Sequence, residues 1–85
     1  MIAFRVWVQS LGSASGVRVE GNENARWLLG RLSQSFIFKS SEPVLEELNG
    51  SGCTFRVPHN SQLSFSAFKR LLAAMPEVHL MAGPA

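Results

Sequence analysis

The chain reads as an α+β domain: one antiparallel sheet of about four strands, with two helices packed on one face. Three observations predict this. Residues 3–9, AFRVWVQ, alternate so that Phe4, Val6 and Val8 share one side and Arg5, Trp7 and Gln9 the other, which is the two-residue period of a half-buried strand. Two later stretches instead space their apolar residues three and four apart, as helices do. Strand-like segments at 35–39, 53–57 and 77–81 separate and follow those helices.

Taken in order, the first strand gives way to LGSASG at 11–16, a loop by composition. GVRVEG at 16–21 alternates again, Val17 and Val19 against Arg18 and Glu20, and fits either a short second strand or an extended lead into the first helix. That helix is marked by Ala25, Leu28, Leu29 and Leu32, with Asn22 or Asn24 able to cap its start, and it ends near Ser33. Trp27 falls nearly opposite the apolar stripe, with Arg31 and Gln34. SFIFK at 35–39 reads as a strand with Phe36 and Phe38 inward, leaving Ile37 and Lys39 outward. Residues 43–49 fit a strand turning at Asn49-Gly50 into CTFRV, or a short helix capped by Ser41. The hairpin fits better, with Pro43 on an edge strand where its missing N–H costs little. In CTFRV, Cys53, Phe55 and Val57 point inward, and Thr54 and Arg56 outward.

The second helix has Ser64 as its N-cap, with Leu63 and Phe68 at the hydrophobic-staple spacing. Phe65, Phe68, Leu72 and Met75 form its apolar stripe, and Pro76 stops it. EVHLM at 77–81 is the last strand, and the tail 82–85 is expected to fray. No internal repeat is evident. The order, strand, helix, two strands, helix, strand, is that of the ferredoxin-like βαββαβ arrangement. A helix at 43–49 would point instead to a small α/β fold.

Such a fold leaves one sheet face open, and its outward residues are the candidate binding surface: Arg5, Trp7, Gln9, Lys39, Thr54, Arg56 and His79. The ferredoxin-like order makes the first and third strands central, so Arg5, Trp7, Thr54 and Arg56 would meet in the middle of a basic face free of carboxylates. Trp27 and Arg31 form a secondary candidate on the first helix. The bland reading has Trp7 merely packing sideways on the sheet. The functional expectation is contact with a protein partner or a second copy, since Trp and Arg anchor interfaces. Weak binding of single-stranded nucleic acid is the alternative. A lone outward tryptophan makes a poor stacking platform, because Phe55 points inward.

The totals set the bounds. Eighty-five residues make one domain with a modest core. Charged residues are 16% of the chain, below the usual value of about 25%, so part of the surface is apolar. The net charge of +2 permits an acidic partner without demanding one. The single cysteine, Cys53, fits a reducing compartment, and no signal peptide or membrane-spanning run is visible, so a soluble cytoplasmic protein is expected. No spacing of His, Cys, Asp or Glu suggests catalysis, a metal or a cofactor. The glycine- and serine-bearing loop SLGSASGVR resembles the phosphate loop that follows the first strand in acylphosphatases, and the resemblance implies a small-anion site at 11–18 that uses Arg18. In that family the arginine opens a helix; here Arg18 begins extended chain.

Overall fold

A computed structural model describes residues 3–34, 44–49, 52–59, 61 and 63–83, with the backbone alone for 44–49, 52 and 53. The elements are β1 (Phe4–Ser10), β2 (Ala14–Val19), α1 (Asn22–Ser33), β3 (Val44–Asn49), β4 (Gly52–Pro58), α2 (Phe65–Ala73) and β5 (Val78–Leu80). The strands form one five-stranded sheet in the order β3-β4-β2-β1-β5. Every neighbouring pair is antiparallel except β1–β5, which is parallel.

The α+β class stands, but the sheet is mixed and its order is not the ferredoxin-like one. The cause is local. Gly12, at φ 84°, turns the chain within three residues, and the Leu11 N–H donates to the Ala14 carbonyl at 2.8 Å. Residues 14–19 therefore fold straight back on β1 as a full strand. That strand occupies the side of β1 where 53–57 was expected, so β4 pairs with β2 instead. β4 lies two antiparallel steps from β1 and so runs parallel to it. A crossover through α2 keeps that direction, which brings β5 in parallel on the far edge of β1. The hairpin reading of 43–49 holds, as β3 pairs antiparallel with β4. The strand expected at 35–39, with Lys39, lies outside the described residues, as does the side chain of Cys53.

The core follows the alternation. Phe4 and Val6, Val17 and Val19, Phe55 and Val57, and Val78 meet Ala25, Leu28 and Leu32 of α1, and Leu63, Phe68 and Leu72 of the α2 region. The Ser64 Oγ accepts from the Ala67 N–H at 3.1 Å, so that cap is as expected. Phe65 and Met75 are only half-buried.

The start of α1 differs from the sequence reading. Neither Asn22 nor Asn24 caps it; Gly21 holds the N-cap position at φ 89°, ψ 140°. Asn24 instead donates through Nδ2 to the Glu20 carbonyl at 2.7 Å. A side chain at that φ is strained, and a Cβ there would also stand 3.3 Å from Asn24 Nδ2. Gly21→Ala is expected to cost about 1–3 kcal/mol. A fall in the urea midpoint at unchanged slope would record it.

The topology also exposes a repeat. Hairpin β1–β2 with α1 is followed by hairpin β3–β4 with α2. A shift of 38 residues superposes the turn ends of the two hairpins: Gln9↔Gly16 and Ser10↔Ser15 in one correspond to Glu47↔Thr54 and Leu48↔Cys53 in the other, and the register slips by one beyond the irregularity between Leu45 and Glu47. The same shift aligns QSLGSASGVRVEGN (9–22) with ELNGSGCTFRVPHN (47–60), matching Gly12 to Gly50, Ser13 to Ser51, Arg18 to Arg56, Val19 to Val57 and Asn22 to Asn60. The equivalent residues Val17 and Phe55 are direct partners across the β2–β4 pair. The local two-fold axis of that antiparallel pair therefore passes between them.

Candidate functional site: the open sheet face

The outward positions of β1, β2 and β4 form a checkerboard. Trp7 pairs with Arg18, which pairs with Thr54; Gln9 pairs with Gly16, which pairs with Arg56. Arg5 lies beside His79 on β5. Arg5, Gln9, Arg18, Thr54, Arg56 and His79 are exposed, and Trp7 is half-buried. The face thus collects the described members of the expected surface, but β2, not the first or third expected strand, runs through its centre. Thr54 and Arg56 do not adjoin Trp7 directly; Gly16 and Arg18 stand between.

The face is less uniformly basic than its sequence suggests. Arg5 Nη2 lies 3.0 Å from Glu20 Oε2, and the Arg5 N–H donates to Glu20 Oε1 at 3.3 Å. With side chains 55% and 43% exposed, this ion pair is worth at most about 1 kcal/mol, but it places a carboxylate on the face beside Arg5. Arg18 Cζ sits 5.5 Å from the centroid of the Trp7 ring, a cation–π contact worth about 0.5–1 kcal/mol at an exposed site. One side of the indole is thereby covered. Leu11, 49% exposed, is a large hydrophobic residue left in solvent. Its Cδ1 would lie 3.1 Å from a Cβ on Gly16, so the leucine folds over that glycine at the middle of the face.

Sequence reasoning missed Leu11, Gly16, Arg18 and Glu20 as members of this surface. The signal was present: alternation in 16–21 sorts Arg18 and Glu20 outward once that segment is a strand. The same finding takes Arg18 out of the loop expected at 11–18 and into the sheet. Arg18 stands mid-sheet opposite Trp7, with its Cζ 5.5 Å from the indole centroid.

Trp27 is corrected as well. Its ring meets Phe4 edge-to-face, with centroids 5.8 Å apart and planes at 80°, and it packs on the core from the helical layer. Together with Arg26, Gly30, Arg31 and Gln34 it lines a surface cleft. That cleft belongs to the helical side of the sheet and does not join the open face.

A further pair was not foreseen. Ser15 is fully buried, and its Oγ lies 2.7 Å from His59 Nε2. The His59 N–H donates to the Ser13 carbonyl at 2.8 Å. A serine beside a histidine suggests a nucleophile and its base, but this hydroxyl is sealed from solvent. It acts as a tie from β2 to the segment after β4, satisfying a buried polar group.

Among the described residues, no group of three His, Cys, Asp or Glu is placed to hold a metal, and no helix is long and apolar enough to cross a membrane. Comparison with known protein families, curated proteins and solved structures gave no match.

Proposed function

We propose that this domain is a protein-interaction module that works through its open sheet face. The observation that carries the reading is the position of Leu11, an exposed leucine lying over Gly16 between the Trp7–Arg18 stack and Arg56. An apolar anchor set among arginines and a tryptophan is the composition of an interface centre. Nucleic acid is the weaker reading, because a base would have to displace Arg18 to stack on that side of Trp7. Two copies of the face pressed together would bring Arg18 and Arg56 against their own kind, so an acidic foreign partner suits the surface better than a second copy. The lone cysteine, Cys53, suits work in a reducing compartment such as the cytoplasm.

Trp27→Phe keeps an aromatic ring against Phe4 and leaves Trp7 as the sole indole. In that variant, the peptide LTETETL, which carries leucine and glutamate on one side when extended, is expected to shift the tryptophan emission. A single-stranded oligothymidylate is expected not to. A response to the oligonucleotide alone, weakening steeply with salt, would replace the protein reading with the nucleic-acid one. Light scattering at high concentration separates the versions of the protein reading: a dimer that Trp7→Ala abolishes would make the partner a second copy.

A further inference from the structure

We infer that Arg18 and Arg56 act together as a two-pronged site for two carboxylates of an extended acidic segment, centred on the local two-fold axis between Val17 and Phe55. The inference deepens the reading above and rests on it. Four observations support it. The 38-residue shift that relates the two hairpins maps Arg18 onto Arg56, so the axis carries one strand position to the other. Both side chains are exposed on the same face. Neither is in an ion pair among the described residues, the carboxylate of Glu20 being held by Arg5. Thr54, between them on β4, is small, and Leu11 lies over Gly16 on the other side, so the segment would meet an apolar side chain beside the two arginines.

The spacing selects the ligand. Arg18 is the direct partner of Thr54, so Arg56 is its diagonal neighbour, the two positions being about 7–8 Å apart. Residues i and i+2 of an extended strand point the same way and are separated by about 6.6–6.8 Å. Acidic residues two apart therefore match the two arginines, whereas adjacent ones point to opposite sides. Leu11 then meets an apolar residue of the segment that flanks the acidic pair. The Arg18 guanidinium, its Cζ 5.5 Å from the Trp7 ring centroid, has five N–H donors from which to make a bidentate carboxylate contact.

The test is calorimetric titration of the full chain with LTETETL and with two controls, LTQTQTL, which removes the charges, and LTEETTL, which makes the glutamates adjacent. Arg18→Ala and Arg56→Ala are each expected to weaken LTETETL by about tenfold or more, and by amounts within about threefold of each other. Both control peptides are expected to bind the unaltered chain comparably poorly. Unchanged urea midpoints would establish that the variants remain folded. If LTETETL binds either arginine variant as tightly as the unaltered chain, or LTEETTL binds as well as LTETETL, the paired site is wrong while protein contact survives. If no peptide binds the folded chain, the paired site and the reading beneath it both fall.

Discussion

Phe55→Ala should lower the stability of this domain by about 3–5 kcal/mol, the usual cost of emptying a fully buried aromatic position. Phe55 is 1% exposed and pairs with Val17 on one side and Leu45 on the other, so the cavity opens where the sheet is most enclosed. Its neighbours are strand residues held by ladder hydrogen bonds on both sides, and they have little freedom to collapse inward. Domains are commonly stable by about 0.05–0.15 kcal/mol per residue, so the loss is a large share of the total for a chain this short. Urea denaturation followed by circular dichroism measures it. Phe65→Ala is the matched control. Phe65 is half-buried at the start of α2, with the Lys69 ammonium 5.2 Å from its ring centroid and His59 tilted against it at 6.4 Å. That substitution should cost much less. Equal losses at the two positions would mean that the sheet centre is not where the packing energy is concentrated.

The two tryptophans should part company. Trp27→Ala is expected to destabilise the fold by about 2–3 kcal/mol, below the full-burial value because the ring is half-exposed. The loss combines apolar contact with the core and the edge-to-face pairing with Phe4, itself worth about 0.5–1.5 kcal/mol. Trp7→Ala should cost about 0.7–2 kcal/mol, essentially its cation–π contact with Arg18 and cross-strand packing. The order reverses for binding: in calorimetric titration Trp7→Ala should weaken LTETETL strongly, and Trp27→Phe should leave its affinity intact. A Trp7 variant that unfolds readily but binds normally would turn the open face back into a purely structural surface.

The difference between these residues was partly legible in advance. Alternation alone placed Trp7 outward, because the side-chain period of a strand is two and Phe4, Val6 and Val8 claim the core side. Helical spacing misplaced Trp27. A ring that large reaches around the helix, and Phe4 at the sheet's end supplies a partner that no periodicity within α1 reveals. The repeat was hidden for a related reason. The matched positions are few, and they become persuasive only when the ladder register reproduces the same shift. Ser15 and His59 are 44 residues apart, with no spacing signal to join them.

Local pattern was sufficient for the strand faces of β1 and β4, the cap of α2, the hairpin at β3–β4 and the α+β class. These depend on side-chain period, capping chemistry and turn preference, all of which act within a few residues. Strand order, the parallel entry of β5 and the placing of Arg18 and Arg56 as diagonal neighbours were settled only by tertiary pairing. The tight turn at Gly12 sets 14–19 against one edge of β1, and β4 and β5 pair on the edges that arrangement leaves. Which side chains become neighbours across a sheet is a consequence of that competition among edges, and alternation along one strand carries no information about it.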